Sequence, residues 1–331
     1  MRRLAPTLLL ASLTALTPLG APTRAQDGKK KPLEDPASKR ELPPVVIPPV
    51  REGVTYLRAF AFGDMGTAGR GQRAIAASMA GRAREGGLDL LLTTGDNFYP
   101  NGVKSVDDPM WRTHFWDIYS DPALAVPIYP SLGNHDHRGN VQAQIDQGKL
   151  EPRWRLPSRY HVWQWPAEGA PVAQFFVIDS DMFPEDKEQL AWLDRALGAA
   201  TAPWRIVYGH HPIYSRSVRG DNAELVACLE PLLVKHEVDL YLAGHDHVLE
   251  LRKPKDGVRH LVSGGGAGGD HPYPVEWTDD YEYASTGGGF CALRLAADEL
   301  VIEFVRQDGR TQFASTFGPR RAAKKERYGP F

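Results

Sequence analysis

The chain has 331 residues, of which 42% are hydrophobic and 24% are charged, and it contains two cysteines. This composition is typical of a globular protein, and it excludes a disordered chain, a collagen-like fibre and a disulfide-rich scaffold. The net charge of −2 gives no strong basic field, so we expect no nucleic-acid partner.

The first 25 residues have the pattern of a secretory signal peptide. Arg2 and Arg3 precede an apolar run that extends to about residue 21, and Ala25 is a small residue suited to cleavage. A membrane anchor is the alternative, but prolines interrupt the run and it is short for a membrane span. We therefore expect export, to the periplasm or out of the cell, and no transmembrane segment after cleavage. Loss of three arginines would change the net charge from −2 to −5.

The rest of the chain predicts one folded domain between two polar segments. Residues 26–52 mix charged residues with prolines and predict a flexible linker, which could tether the protein. The domain is expected over residues 53–319 and a basic tail over residues 320–331. Cys228 and Cys291 could pair in an oxidising compartment, but their separation in space does not follow from the sequence.

Predicted strands and helices alternate along this domain. Short apolar runs predict buried strands at residues 56–62, 88–94, 126–132, 175–178, 205–208, 240–243 and 261–262. Helices are predicted at residues 71–84, 187–196 and 223–236. Residues 290–317 predict antiparallel strands with a turn at Asp308-Gly309. Alternation of this kind predicts an α/β fold whose strands are mostly buried.

Five predicted strands end in a glycine that is followed by a residue able to bind a metal. The pairs are Gly63-Asp64, Gly95-Asp96, Gly133-Asn134, Gly209-His210 and Gly244-His245. One such pair alone is more often a turn. Because ligands of α/β sheets gather at the carboxyl ends of strands, we expect these side chains to meet at one edge.

The candidate metal ligands offer oxygen and nitrogen atoms and no thiolate. They are Asp64, Asp96, Tyr99, Asn134, His210, His245 and His247. Such a set favours iron, zinc or manganese. Seven ligands are too many for one ion that keeps an open position. Two ions about 3.5–4 Å apart that share a carboxylate can accommodate all seven ligands. Such a pair can hold a phosphoryl group during in-line displacement.

These motifs resemble the signature of the calcineurin-like metallophosphoesterases, and Gly95 to Tyr99 (GDNFY) is similar to the corresponding segment of purple acid phosphatases. Gly133 to Gln144 (GNHDHRGNVQAQ) further resembles the small tartrate-resistant acid phosphatases. The resemblance extends over roughly residues 55–318. It implies that residues 53–319 form a metallophosphoesterase catalytic domain, a four-layer α/β/β/α sandwich with two mixed β-sheets flanked by helices.

The resemblance also implies how the ligands are divided between two metal ions. The carboxylate of Asp96 would bridge the ions. A ferric ion would also be bound by Asp64, Tyr99 and His247. A second ion, Fe(II), zinc or manganese, would also be bound by Asn134, His210 and His245.

Substrate contacts are expected around these ligands. By resemblance, His135 would lie near the substrate phosphate as an electrostatic group or proton donor. Family members carry a further histidine about nine residues after the equivalent of His210, and here Arg219 lies near that position. A guanidinium group matches phosphate well, so Arg216 or Arg219 could bind the substrate phosphate, although a solvated loop charge is the alternative for either arginine. The further candidates for substrate contact are Asn97, His211, Arg216 and Arg219.

The sequence therefore predicts an exported dinuclear-metal acid phosphatase that hydrolyses small phosphate monoesters by attack of a metal-bound hydroxide. A phosphodiesterase or nucleotide pyrophosphatase on the same scaffold is the first alternative, because a fold does not determine its substrate. A non-catalytic metal- or phosphate-binding protein is the second. The physiological substrate, the second metal and the oligomeric state stay open.

Overall fold

The computed structural model describes Val45, residues 47–268 and residues 273–321. The predicted signal peptide, most of the predicted linker and residues 322–331 of the predicted tail lie outside the described residues. Within the described ranges, no helix combines the length and the hydropathy needed to cross a membrane. The end of the predicted linker contacts the domain, because the Arg51 guanidinium donates to the Asp298 carboxylate at 2.8 Å.

The described part of the chain alternates between strands and helices. The strands are β1 (Leu57–Phe62), β2 (Leu90–Thr93), β3 (Ile128–Pro130), β4 (His161–Trp165), β5 (Ala173–Val177), β6 (Trp204–Tyr208), β7 (Leu240–Ala243), β8 (Leu249–Lys255), β9 (Val258–Ser263), β10 (Tyr281–Ser285), β11 (Gly289–Leu295), β12 (Leu300–Arg306) and β13 (Thr311–Phe317). The α-helices are α1 (Arg70–Gly86), α2 (Asn134–His137), α3 (Val141–Leu150), α4 (Lys187–Gly198), α5 (Ala223–Cys228) and α6 (Glu230–Lys235).

The strands form two mixed sheets. The first sheet has the order β13-β12-β11-β1-β2-β3, and the second has the order β10-β8-β9-β7-β6-β5-β4. In the first sheet β1, β2 and β3 are parallel, and β11, β12 and β13 form the predicted antiparallel meander. In the second sheet β5, β6, β7 and β9 are parallel.

Both faces of the central strands are covered, as their near-continuous apolar runs predict. In β1, Leu57, Ala59 and Ala61 belong to the core between the sheets, whereas Phe60 and Phe62 pack on the outer side against α1. A third apolar cluster covers the outer face of the second sheet beneath α4, α5 and α6. The layers are therefore helix, sheet, sheet and helix, and the predicted four-layer sandwich is confirmed.

The predicted elements differ from the observed ones in several places. The predicted helix 223–236 is two short helices, because α5 ends at Cys228 and α6 begins at Glu230, with Pro231 in its first turn. Proline lacks the amide hydrogen that a continuous helix would need there. Strands β4, β8 and β10 and helix α3 were not predicted.

The two cysteines are free thiols. Cys228 lies on α5, outside the second sheet, whereas Cys291 is buried in the core between the two sheets. The possible disulfide between them is therefore absent.

The parallel strands place the glycine motifs at one edge of the sandwich. Strands β1, β2 and β3 of the first sheet and β6 and β7 of the second each end shortly before one of the five motifs. The sheets meet at this edge, where the Gly63 amide donates to the Ser263 carbonyl oxygen at 2.8 Å. Parallel strand ends from two sheets therefore supply a single site.

Candidate metal centre

Three of the candidate ligands have an unusual backbone conformation. The φ angle is 59° at Asp64, 51° at Asp96 and 65° at His245. Residues other than glycine rarely adopt positive φ, at a cost of about 1–3 kcal/mol, and such strain concentrates at functional sites. Each of these residues directly follows a strand-end glycine, so the strain marks the edge that the sequence predicted as a site.

The strand-end glycines are required because the ligand loops pack directly on one another. A Cβ atom at Gly95 would lie 2.7 Å from Nδ1 of His210, and one at Gly244 would lie 2.6 Å from Oδ2 of Asp64. Both distances are much shorter than a normal van der Waals contact. Any larger residue at these positions would displace the side chains of the site.

The first cluster is formed by Asp64, Asp96, Tyr99 and His247. The Tyr99 hydroxyl lies at its centre, 2.8 Å from Oδ2 of Asp96 and 3.3 Å from Oδ1 of Asp64. It also lies 3.3 Å from Nε2 of His247. The first cluster therefore gathers two carboxylates, a phenol and an imidazole.

The second cluster is formed by Asp96, Asn134, His210 and His245. Nε2 of His210 lies 3.1 Å from Oδ1 of Asn134, 3.1 Å from Nδ1 of His245 and 3.4 Å from Oδ2 of Asp96. All seven candidate ligands are thus brought together, in two clusters that share Asp96.

The orientation of the His210 ring is fixed by a backbone group outside the second cluster. Its Nδ1 atom lies 2.8 Å from the Thr94 carbonyl oxygen, which can only accept a hydrogen bond. Nδ1 therefore carries the hydrogen, and in the neutral ring the lone pair of Nε2 faces Asn134 and Asp96. This tautomer is the one that a metal ligand requires.

The buried acidic groups shift one another's ionisation. Burial raises the pKa of Asp64 well above its usual value, and the nearby charge of Asp96 adds to this. Burial opposes ionisation of Asp96 too, but contacts with His210 outweigh it and lower the pKa of that carboxyl. Burial and the charges of Asp64 and Asp96 raise the pKa of the Tyr99 hydroxyl. Burial lowers the pKa of His210, but its contact with Asp96 outweighs this and raises it to about 10.

These residues fit metal cations. Across the described ranges, the ion-pair partners of Asp64 and Asp96 are histidines and include no lysine or arginine. Burying two carboxylates beside a phenol is costly unless positive charge compensates them. Ligand atoms of Asp64, Asp96 and His210 lie within 4.8 Å of one another. Oxygen and imidazole donors without a thiolate suit iron, zinc or manganese.

His135 lies beside the first cluster without joining it. Its backbone amide donates to Oδ1 of Asp96 at 2.8 Å, and its ring lies 4.3 Å from the Tyr99 ring. Nδ1 is 2.6 Å from the Pro100 carbonyl oxygen and 3.2 Å from Nη1 of Arg138, and the shorter contact, to an atom that can only accept, assigns the hydrogen to this nitrogen. The Nε2 atom then bears a proton only when the imidazole is positively charged.

Asn97 does not have the predicted substrate contact. The side chain is fully buried, its Oδ1 accepts from the Thr93 hydroxyl, and its Nδ2 donates to the Ser131 carbonyl oxygen and to Asp136. Because every polar atom of the amide is engaged inside the protein, Asn97 instead helps to hold Asp136. A sequence position next to a ligand does not tell which way the side chain points.

Asp136 and Asp246 each directly follow a histidine of the site, His135 and His245, in the sequence. Asp136 accepts hydrogen bonds from the backbone amides of Gly133 and Asn97, and so caps the start of α2. Asp246 accepts from the Ser217 hydroxyl and lies near Arg219. In the described contacts neither aspartate bonds to a candidate ligand histidine.

The remaining predicted substrate residues differ in their surroundings. The His211 ring lies 4.3 Å from the His245 ring, and its Nδ1 contacts the Ser180 hydroxyl at 3.0 Å. Arg219 also reaches His245, with 3.0 Å between Nη1 and Nε2. Arg216 instead pairs with Asp221.

Two residues of the site were not predicted. Ser180 follows β5, and its hydroxyl accepts from the backbone amides of His210 and His211 at 3.0 and 2.8 Å. Tyr273 stacks on His247, with ring centroids 4.9 Å apart and planes 17° apart. Neither follows a strand-end glycine, so the pattern that found the ligands gave no signal for them.

The chain matches known proteins over most of its length. The family model described as calcineurin-like phosphoesterase matches residues 57–249. The chain is 33% identical to human tartrate-resistant acid phosphatase type 5, over 85% of this chain and 97% of that protein. It is 32% identical to purple acid phosphatase 4 of Arabidopsis thaliana, over 83% of this chain and 87% of that protein. The chain belongs to the purple acid phosphatases, within the calcineurin-like phosphoesterase family.

Membership confirms the predicted family and the predicted enzyme class, a metal-dependent phosphoesterase of the acid phosphatase type. A solved structure of similar fold is that of GAP50, described as the anchor in the inner membrane complex of Plasmodium. It has a TM-score of 0.73 and 27% identity, and it covers 80% of this chain and 89% of that chain. Since one fold can serve different purposes, the particular use in this purple acid phosphatase must be argued from its site residues.

Proposed function

We propose that this purple acid phosphatase is exported and hydrolyses small phosphate monoesters with two metal ions bound at the two clusters. The observation that carries the proposal is the convergence of all seven candidate ligands around Asp96. The signal-peptide pattern of residues 1–25 supports export.

Each cluster would hold one ion. The first cluster has the anionic donors that stabilise a ferric ion, namely Asp64, Asp96 and the phenolate of Tyr99. The second has the neutral amide of Asn134 and two imidazoles, which suit Fe(II), zinc or manganese. When bound, two such ions polarise a phosphoryl oxygen and lower the pKa of water toward neutrality.

The other residues of the site would orient these ligands and move a proton. The Thr94 carbonyl oxygen holds the His210 tautomer, and Ser180 holds the backbone amides on either side of His210. His135 would deliver a proton from Nε2 to the leaving oxygen. Because Nδ1 is committed to Pro100, this requires the imidazole to carry a second proton, on Nε2.

The likeness to GAP50 keeps a non-catalytic role as the second candidate. A protein that binds without catalysis has no need for a complete set of ligands. Here the carboxylates, the phenol, the amide and all three histidines converge, and two of the ligand loops need a glycine to do so. This completeness favours catalysis.

The test is metal analysis of the pure protein together with two assays in parallel, one with p-nitrophenyl phosphate and one with bis(p-nitrophenyl) phosphate. We expect about two metals per chain and faster hydrolysis of the monoester. Full activity with a single ion would contradict the dinuclear centre. Preference for the diester would favour the phosphodiesterase alternative, and an inactive protein with both metals bound would favour the non-catalytic one.

A further inference from the structure

Arg219 reaches the metal centre from a loop outside both clusters. Its Nη1 atom lies 3.0 Å from Nε2 of His245, and its Nη2 donates to the Tyr273 hydroxyl at 2.8 Å. Its Nε atom lies 3.6 Å from Oδ1 of the buried Asp246. Each nitrogen of the guanidinium therefore faces a different group at the rim of the site.

Two of these contacts anchor the guanidinium. The group lies over the Tyr273 ring, 5.1 Å from its centroid, while that ring also stacks on His247. Asp246 is fully buried, and its Oδ1 atom has no hydrogen-bond partner among the described residues, so Arg219 is the cation that complements it. Tyr273 and Asp246 thus fix the position of the arginine while its third nitrogen faces the site.

The third contact would change if His245 bound a metal. Nδ1 of His245 faces Nε2 of His210, so Nδ1 is the atom that would bind an ion held jointly with His210. A neutral histidine that binds through Nδ1 carries its hydrogen on Nε2. The guanidinium has only donors, so Nη1 and Nε2 would then be two donors facing each other. In the metal-loaded protein Nη1 therefore needs a different acceptor.

Space for such an acceptor lies next to the guanidinium. A cavity of about 200 Å³ is lined by His211, Arg219, Asn222 and His245, and also by Asp221 and Asp246, whose carboxylates pair with Arg216 and Arg219. Arg216, on the same loop, has no such freedom, because its guanidinium pairs with Asp221 and lies over the Tyr281 ring at 5.7 Å. Of these two loop arginines, the geometry points to Arg219 alone as a ligand-binding group.

We propose that Arg219 binds a phosphate oxygen of the substrate and that Tyr273 positions the Arg219 guanidinium for this contact. This inference rests on the proposed function, because it assumes a phosphate ester at the metal centre. A guanidinium keeps its positive charge at all accessible pH values. Arg219 therefore supplies a permanent charge and not a transferable proton.

The test measures binding of inorganic phosphate to metal-loaded protein by titration calorimetry, with metal content determined on the same samples. Arg219→Ala should keep its metals and bind phosphate roughly 10–100-fold more weakly, as expected for loss of a charge-assisted hydrogen bond. Arg219→Lys should recover part of the affinity, because it restores the charge without the planar geometry. Arg112→Ala, an exposed arginine outside the site, is the control and should bind phosphate like the wild type.

The positioning role of Tyr273 has its own variant. Tyr273→Phe keeps the ring that stacks on His247 and removes only the hydroxyl that accepts from Arg219. We expect a several-fold weaker affinity for phosphate and a raised KM with little change in kcat. A purely structural role for the hydroxyl would leave phosphate affinity and KM unchanged.

Two results would overturn the proposal. Equal phosphate affinity in the wild type and Arg219→Ala would show that the guanidinium does not bind the anion. Loss of metal in Arg219→Ala would show that it supports the ligands instead. Failure of the proposed function is distinguishable, because the phosphate titration needs no turnover: wild-type protein that binds phosphate through Arg219 and hydrolyses no monoester would contradict the function alone.

Discussion

The two clusters around Asp96 are built in the same way and differ in charge. Each takes its side chains from loops that follow parallel strands, and Asp96 belongs to both. The first cluster adds a carboxylate, a phenol and one imidazole, whereas the second adds a neutral amide and two imidazoles. The strand-end loops therefore determine where a ligand sits, and the residue type at each loop determines which ion it suits.

This difference gives the two ions different tasks in the proposed reaction. Anionic donors stabilise the trivalent state, so the first cluster would keep its iron oxidised. Neutral donors transfer less negative charge, so the second ion would keep more of its Lewis acidity toward a substrate oxygen than it would with a carboxylate in place of Asn134. Variants that remove the shared ligand, or that make the clusters more alike, test this division.

The largest effect is expected for Asp96→Ala, which removes the carboxylate common to both clusters. Both ions should be lost together, and kcat/KM should fall by more than about 10³-fold, a loss that removal of one electrostatic donor can already cause. Metal analysis and monoester hydrolysis measure the two effects. The exposed Asp107→Ala serves as the control. Retention of both metals and normal turnover in Asp96→Ala would refute the shared carboxylate.

His135→Ala tests a residue that touches the shared aspartate through its backbone but belongs to neither cluster. Metal content should stay unchanged, while kcat falls about 10²–10⁴-fold for esters with poor leaving groups, because protonation of the leaving oxygen is lost. Esters with good leaving groups should lose less. His114→Ala, outside the site, should behave like the wild type. Equal losses for both kinds of ester would exclude the role of proton donor.

The sequence located five of the seven ligands because each directly follows a strand-end glycine, whereas Tyr99 and His247 lie a few residues further along the same loops. Buried parallel strands must end at a common edge, and a glycine there allows one loop to pack against the next, as at Gly95 and Gly244. The alternation of strands and helices predicted an α/β fold, whereas its four layers were implied by the resemblance to the metallophosphoesterases. Strand β4 was missed because its side chains are only partly buried, which leaves no continuous apolar run.

The sequence did not locate the groups that hold the ligands. The orientation of His210 depends on the Thr94 carbonyl oxygen, and backbone groups carry no signal in the sequence. Tyr273 meets His247 only because two distant loops fold together. Asn97 was misassigned because its side chain turns inward, away from the ligands beside it. The direction of a side chain and the contacts between residues distant in the sequence depend on tertiary structure. A local sequence pattern does not contain this information.

Asn134→Asp makes the second cluster resemble the first. An added carboxylate should bind the second ion more tightly but weaken its pull on the substrate, and kcat should fall roughly tenfold, which corresponds to about 1.4 kcal/mol of transition-state stabilisation. Metal affinity and kcat are measured on the same protein. Asn140→Asp is the control, because Asn140 caps α3 and aspartate caps a helix equally well. Faster turnover in Asn134→Asp would contradict the proposed division of tasks.

The smallest effect on turnover, and the most specific one, is expected for Tyr99→Phe. The hydroxyl lies between Asp64 and Asp96 inside the first cluster, where burial and both carboxylates raise its pKa. A phenol in such a place ionises only if a strongly charged cation replaces its proton, and a ferric ion meets this need. A phenolate on ferric iron absorbs visible light by charge transfer, so the iron-loaded oxidised protein should be coloured.

Tyr99→Phe removes one hydroxyl and keeps the ring, so the fold should survive while the visible band disappears. The iron should also become easier to reduce, because an anionic donor no longer favours the trivalent state, and kcat should change only several-fold, since the ligands of the second cluster remain. Visible spectra of both proteins, with iron content measured, decide the matter. Tyr129→Phe, whose ring stacks on Trp163 outside the clusters, should keep the colour. An unchanged band in Tyr99→Phe, or a colourless wild type that contains iron, would contradict the phenolate ligand. The proposed charge difference between the two clusters would then lose its basis.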